Sequence, residues 1–274
     1  MTGIKTGGKT MEQLNLDEII KKTNRKYDIS LKNLLSSYDI GYKKLYIYMF
    51  LFAEEIRNAY FELFPEHNGK FAFDIYGLAE SLNVKILEKD LSDLPKRDFT
   101  YSPAIYSYYD LYHGRTIYIS EMIGDYSKRA SLAITLSCFI VNYVRGIDNG
   151  VYTIFAKAPF FSDGFNSLPS SLLATFIMMP MSDVFELFDT HTTQAIRLNN
   201  ERTSLYSLLG YLGGRFHIAD FFTELFFDRV QTLVIILYDY NGEFGINLHK
   251  FCEKVKQYKH LFKLSDNPNR NKFN

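Results

Sequence analysis

Residues 115–143 read RTIYISEMIGDYSKRASLAITLSCFIVNY, and this stretch decides the fold. Its first part, Thr116–Ser120, alternates β-branched and aromatic side chains and predicts a strand. Ser127 can then cap a long apolar helix that runs from Lys128 to about Arg145. The stretch therefore predicts a strand that leads into a long, buried helix.

Two predicted helices precede this stretch. Apolar residues recur with a helical period over Tyr42–Phe64, and Pro65 ends that helix. Asp74 can cap a second helix, whose apolar residues lie on one face. That helix runs into a short apolar strand at residues 84–87.

The rest of the chain is mostly helical. A strand at 101–109 is predicted to pair with Thr116–Ser120 through a turn at His113-Gly114. Residues 146–167 predict a long irregular surface segment, and the run Leu233–Tyr238 is compatible with either a strand or a buried helix. The other predicted helices are 169–179, 182–188, 201–212, 219–228 and 248–261. This order predicts an α+β fold, mainly helical with a small three-stranded sheet.

The 274 residues divide into three regions by composition. Residues 1–40 are polar and lysine-rich, and we expect a flexible N-terminal segment there. Residues 41–190 carry the predicted sheet and its helices and form the expected core. Residues 191–274 predict a helical C-terminal region.

The composition is that of an ordinary globular protein, with 47% hydrophobic and 23% charged residues. Lys and Arg number 31, as do Asp and Glu, so no overall charge indicates nucleic acid or acidic lipid. Cys138 and Cys252 form no CxxC pair, and no disulfide framework is expected. The apolar run 130–144 is too short to span a bilayer and 164–182 is interrupted by prolines, so we expect a cytoplasmic protein without a membrane span.

The first residues contain a nucleotide-binding pattern that lacks its context. GIKTGGKT, residues 3–10, satisfies G-x-x-x-x-G-K-[ST]. A P-loop needs a buried strand to deliver the glycine-rich turn, and only Met1 and Thr2 precede it here. We interpret the motif as part of a flexible leader.

Residues 115–143 resemble the ImmA/IrrE metallopeptidase domain, in which a strand leads into a helix that opens R-F-T-L-A-H-E-x-x-H. Aligned without gaps, Arg129, Leu132 and Ala133 match that opening. Residues 170–185, SSLLATFIMMPMSDVF, resemble the family's A-N-x-F-A-x-x-L-L-M-P block. The resemblance spans about residues 42–230 and implies a zincin-like core.

The residues that would bind zinc in this family are replaced. Ile134 stands at the first histidine, Thr135 at the glutamate and Cys138 at the second histidine, while the third ligand position lies near Pro169. Isoleucine cannot coordinate a metal and threonine is no base at neutral pH. We therefore expect no catalytic residues, no metal ligands and no cofactor, and we interpret the three positions as a vestigial site.

The resemblance implies a function in bacterial, phage or mobile-element regulation, because family members act against helix-turn-helix repressors. A chain without the metal would act by binding a protein, either such a repressor or a host factor. We expect the partner surface in the aromatic segment 146–168, at Tyr152, Phe155, Phe160 and Phe161. Alternatively, this segment folds back over the vacated groove. The oligomeric state stays open.

Two other functions stay open as alternatives. The first is a metal-dependent endopeptidase that cleaves a repressor with displaced ligands, such as Cys138 with His113 and His191. The second is a DNA-binding regulator that uses the C-terminal helices and the basic run after Leu248. Phe222 and its apolar neighbours argue against nucleic acid, because they make the would-be recognition helix too apolar to face phosphate.

Overall fold

The structure, a computed structural model, describes residues 13–37, 41–91, 105–110, 114–147, 151–155, 167–187 and 201–259. The described residues are mainly helical with one small mixed sheet, which confirms the predicted α+β class. The helices are Leu16–Tyr27 (α1), Leu31–Ser36 (α2), Tyr42–Leu63 (α3), Ile75–Ser81 (α4), Asp125–Arg145 (α5), Ser167–Met178 (α6), Met181–Leu187 (α7), Glu201–Phe216 (α8), Asp220–Tyr238 (α9) and His249–Gln257 (α10), with a 3-10 turn at Pro65–His67. The strands are Lys85–Lys89 (β1), Ile105–Asp110 (β2), Thr116–Ser120 (β3) and Val151–Phe155 (β4).

Helix α5 is the centre of the core, as its apolar sequence predicts. It packs against α6 and also against β2, β3 and β4. The helix begins at Asp125, slightly before the predicted start, because Gly124 has the extended backbone of an N-cap residue. Gly146 ends it in the left-handed conformation with φ 77°, which glycine adopts without steric cost.

The sheet has the order β1-β3-β2-β4. Strand β1 is parallel to β3, and β2 is antiparallel to both β3 and β4. The predicted three-stranded sheet is therefore corrected to four strands, because β4 lies in the segment that we expected to be irregular. Its sequence VYTIF is rich in β-branched and aromatic residues, which favour a strand once a partner such as β2 is in place.

The run Leu233–Tyr238 is helical and belongs to α9, which continues well past the predicted end at residue 228. Val230, Leu233, Val234 and Leu237 are all buried. Their spacing of three and four residues places them on one helical face, and this face packs against the core. A single long helix therefore replaces the predicted helix and its ambiguous continuation.

Part of the polar N-terminal segment packs on the core. Leu16 and Ile19 of α1 are buried, and α1 packs against α3. Leu31 and Leu35 of α2 are also buried, and α2 packs against α5. The physical reason is amphipathicity, since apolar residues recur on one face of an otherwise charged helix. Residues 1–12, including the GIKTGGKT motif, lie outside the described residues.

Among the described helices, none is by itself long and apolar enough to cross a membrane. One helix pair passes the length and composition criteria when its members are taken together, Leu168–Met178 with Met181–Leu187, and this pair is bent by 46°.

A close approach between α8 and α9 depends on Gly213. A β-carbon at this position would lie 2.9 Å from the carbonyl oxygen of Ile218 and 2.9 Å from Thr223 Oγ1. We expect Gly213→Ala to lower the free energy of unfolding by about 1–3 kcal/mol, because backbone must move to admit the methyl group. Gly214→Ala is the matched control, since a β-carbon there meets nothing within 4 Å. Urea denaturation should show the control unchanged or stabilised by up to about 1 kcal/mol, and equal effects of the two substitutions would contradict this explanation.

Candidate functional site

All three vestigial positions lie on α5, and two of them are buried in the core while Cys138 is partly buried. Ile134 is 2% exposed and Thr135 is fully buried. Thr135 Oγ1 donates a hydrogen bond to the carbonyl oxygen of Ser131 at 2.8 Å. Thr135 Oγ1 also lies 2.6 Å from Ser107 Oγ of β2, and either hydroxyl can donate in this pair, because Ser107 Oγ is itself 3.3 Å from the same carbonyl oxygen. The residue that the resemblance aligns with the family's glutamate is therefore a neutral hydroxyl held between α5 and the sheet.

Cys138 faces α6, where its side chain meets Ser170. Burial raises the pKa of the Cys138 thiol to about 11, and the hydrogen bond with Ser170 offsets only part of that effect. Without a metal the thiol is therefore protonated at neutral pH and is a poor nucleophile. Ser170 directly follows Pro169, near which the resemblance places the third zinc ligand. The structure thus brings Cys138 beside the residue that follows Pro169.

These residues do not suit a zinc ion. A zinc site with an open position needs three ligands such as histidine, cysteinate or carboxylate around the metal. Ile134 offers no donor atom, Thr135 uses its hydroxyl within the protein, and Cys138 supplies one sulfur where three ligands are needed. The described residues also contain no other group of three or more His, Cys, Asp or Glu side chains that could hold a metal.

The histidines considered for displaced metal ligation do not gather in the described part of the chain. His67 lies 3.4 Å from Asp74 Oδ2, and His217 is exposed and stacks on Tyr126 with ring centroids 5.2 Å apart. His249 is exposed on α10. His113 and His191, the predicted companions of Cys138, lie outside the described residues.

The predicted partner surface is placed only in part. Tyr152 and Phe155 lie on β4, where their backbones pair with Tyr109 and Ile105 of β2. Phe160 and Phe161 lie outside the described residues. Within the described sheet β4 is an edge strand, so these two residues lie on its border rather than in an irregular excursion.

The would-be recognition helix of the DNA-binding alternative packs into the core. Phe222 and Phe226 of α9 are buried, and α9 contacts α3, α6, α8 and α10. A helix in the major groove needs an exposed face that reaches base edges and phosphates. The apolar face of α9 is used for folding instead.

Sequence reasoning missed a polar groove that the structure forms between α1, α3 and α7. Its volume is about 420 Å³. Seven charged residues define what we call the α3 groove: Lys22 and Lys26 of α1, Glu54, Glu55, Arg57 and Glu62 of α3, and Asp183 of α7.

Arg57 holds one wall of the α3 groove in place. Its guanidinium is almost fully buried, donates to the carbonyl oxygen of Ile177 at 2.8 Å and forms an ion pair with Asp183 at 3.1 Å. The same guanidinium lies over the rings of Phe61 and Phe73, with its central carbon 5.2 and 5.0 Å from their centroids. Arg57 thereby ties α3 to the end of α6 and the start of α7.

The two neighbouring glutamates of the α3 groove have opposite environments. Glu55 pairs with Lys26 at 2.5 Å and accepts a hydrogen bond from the Tyr27 hydroxyl at 3.0 Å. Burial acts to raise the pKa of Glu55, but its bond to Lys26 and the charge of that lysine lower the pKa overall. Glu54 is partly buried, and its Oε1 has no hydrogen-bond partner among the described residues. Burial raises the pKa of Glu54 to about 7, against the opposing charge of Arg57.

A carboxyl group with a strongly raised pKa at the wall of a groove is a recognised mark of a functional site. The sequence carries one trace of it, since Glu54, Glu55 and Arg57 interrupt the apolar run of α3. That trace does not predict a groove, because Asp183 lies more than a hundred residues away in the chain.

The charge of Glu54 should cost stability. The folded protein prefers the protonated carboxyl, so the cost is absent below the ordinary pKa of 4.5, grows between 4.5 and about 7, and is complete above that. We expect Glu54→Gln to raise the free energy of unfolding by about 2–3 kcal/mol at pH 8 and to change it little at pH 4.5.

Urea denaturation of both proteins across this pH range measures the effect. Glu253→Gln is the control, because Glu253 is exposed on α10 and should shift stability by less than about 0.5 kcal/mol at either pH. A Glu54→Gln effect that does not depend on pH would contradict the assigned cause.

No protein-family model, curated protein or solved structure matches the chain significantly.

Proposed function

We propose that this chain is an ImmA/IrrE-like domain without catalytic activity, and that it acts by binding another protein. One observation carries the proposal. The positions of the family's first histidine and its glutamate are taken by buried Ile134 and Thr135, and the position of its second histidine by the protonated thiol of Cys138. A core of this kind keeps a shape and has no group to activate water.

The arrangement of the elements supports the zincin-like part of the proposal. Strand β3 leads into α5, and α5 packs against α6, which begins the second block of the resemblance. Cys138 on α5 meets Ser170 on α6, and Ser170 follows Pro169, near which the resemblance places the third ligand. A chance similarity of sequence gives no reason for these two positions to be adjacent.

The proposed partner is a protein of bacterial or mobile-element regulation, either a helix-turn-helix repressor or a host factor. A scaffold that binds such a partner without cutting it would hold or sequester it. The edge strand β4, with Tyr152 and Phe155, is the first surface to test, because an edge strand offers unpaired backbone groups to a partner.

Affinity capture with the full chain from its native host tests the proposal. We expect a partner that is recovered at its full length, with an intact mass that does not change when a zinc chelator is added. A partner that is shortened during capture, and protected from shortening by the chelator, would show a metallopeptidase and overturn the proposal.

A further inference from the structure

The α3 groove has an unbalanced carboxylate. Its three cations are Lys22, Lys26 and Arg57, and with Glu62 at the rim its four carboxylates are Glu54, Glu55, Glu62 and Asp183. Lys22 forms ion pairs with Glu55 and Glu62, and Lys26 forms one with Glu55. Arg57 forms an ion pair with Asp183. Three cations and four carboxylates leave one excess negative charge. Glu54 is the carboxylate that forms none of these described ion pairs.

No contact among the described residues shows how Glu54 would stabilise the fold. Its Oε1 is buried and accepts no hydrogen bond from the described residues. A partly buried carboxylate that forms no ion pair destabilises a fold when it is ionised, so the neutral glutamine is the more stable choice above about pH 7. Residues that lower the stability of a fold are commonly retained for binding or catalysis.

The form of the α3 groove favours a single cationic side chain as ligand. A volume of about 420 Å³ admits a small ligand or one long side chain, but no folded element. The amide groups of Asn58 and Asn68 also line it and offer carbonyl oxygens to a donor. An anion would meet the excess carboxylate, and an apolar group would bury Glu54 further without pairing it.

We propose that the α3 groove binds one basic side chain, an arginine or a lysine, of the protein partner, with the Glu54 carboxylate as its counter-ion. The assignment of this cation to a protein rests on the proposed function. The site itself rests on the groove and on Glu54, which forms no ion pair among the described residues and whose Oε1 accepts no hydrogen bond from them. Arg57 is a positioning residue here, because it fixes Asp183 and the end of α6 against α3.

Short peptides test the proposal directly. Acetyl-Gly-Arg-Gly-amide is titrated into the full chain and followed by the NMR shifts of groove residues, at about pH 8, where Glu54 is mostly ionised. We expect saturable binding with a Kd of about 1–10 mM, because one ion pair at a partly exposed site is weak. The same peptide with citrulline, which keeps the shape of arginine and lacks its charge, should bind about tenfold more weakly or worse.

Glu54→Gln supplies the second comparison, and Glu253→Gln its matched control. We expect the Arg peptide to lose about tenfold or more in affinity for Glu54→Gln and to bind the control like the parent protein. Citrulline binding equal to arginine binding, or an unchanged Glu54→Gln variant, would overturn the proposal. Glu54→Gln should not lose its fold, because it removes a destabilising charge.

The pH dependence gives an independent readout. The charged groups that face Glu54 are Lys26, Glu55 and Arg57 from α1 and α3 and Asp183 from α7. Protonation of Glu54 removes the excess negative charge, so the Arg peptide should bind several-fold more weakly at about pH 5.5 than at about pH 8. Affinity that is constant over this range would contradict the role of Glu54.

A free small cation is the other source of the same chemistry, and agmatine tests it. If the Arg peptide binds at least as tightly as agmatine, the groove accepts a side chain on a polypeptide. If agmatine binds and the peptide is excluded, the ligand is a small free cation and the assignment to a partner protein is overturned. Neither result depends on zinc content, so failure of this site and failure of the proposed function are distinguishable.

Discussion

A chain with Ile134→His, Cys138→His and Ser170→Glu is expected to bind one zinc ion, with a Kd of about 1 μM or below. Residues 134 and 138 are one helical turn apart on α5 and share a face. Cys138 contacts Ser170 across the α5–α6 interface, so a carboxylate at residue 170 would complete three ligands around one point. If the fold derives from a zinc peptidase, these substitutions restore the first two ligands and place a carboxylate next to the position of the third.

Competition with a chromophoric chelator measures zinc affinity, and urea denaturation with and without zinc measures the coupling to folding. Zinc at a hundredfold above its Kd should raise the free energy of unfolding by about 2.7 kcal/mol. The control carries Ser170→Gln in place of Ser170→Glu, which keeps the size and removes the charged ligand. We expect it to bind zinc about tenfold more weakly. A folded triple variant without zinc affinity, or with the affinity of its glutamine control, would contradict the zincin-like assignment.

Arg57→Met is expected to lower the free energy of unfolding by about 3–5 kcal/mol at neutral pH. The side chain is 7% exposed, and its removal leaves the Asp183 carboxylate and the Ile177 carbonyl without their donor. Burial already raises the pKa of Asp183. Without Arg57 the folded state should favour protonated Asp183 still more, so the loss of stability should be larger at pH 8 than at pH 5.

Lys256→Met is the matched control for this effect. Its ion pair with Glu253 at 3.1 Å is exposed, and such pairs contribute less than about 1 kcal/mol. Arg57→Met/Asp183→Leu should recover part of the loss, because it removes both members of the pair. If Arg57→Met costs no more than Lys256→Met, Arg57 does not organise the α3 groove.

Local sequence patterns predicted the elements that carry their own signal. The alternation over Thr116–Ser120 and the apolar run after Lys128 predicted β3 and α5, because each pattern extends over most of its element. Strand β4 was not predicted, because its five residues lie beside glycine and aromatic residues and their pattern alone does not indicate a strand. The strand forms by pairing with the backbone of β2. The end of α9 was missed because a short apolar run, Leu233–Tyr238, has no period that separates a strand from a helix.

The α3 groove could not be predicted from the sequence, because its charges meet through tertiary packing. Lys26, Glu55, Arg57 and Asp183 come from three helices and form pairs that no spacing rule anticipates. The vestigial site was easier to locate, since Ile134, Thr135 and Cys138 follow a motif with fixed spacing. The contact of Cys138 with Ser170 required the structure, because it depends on how α6 crosses α5.

The zinc content of the unaltered chain is the most direct test of the central claim, that the metal site has been replaced by core residues. The protein is purified without added metal or chelator, and zinc is measured by atomic emission against the protein concentration. We predict less than about 0.1 zinc per chain, because Ile134 and Thr135 supply no ligand and Cys138 alone does not make a set of three. One zinc per chain, retained through dialysis, would contradict this claim and would favour a metallopeptidase instead.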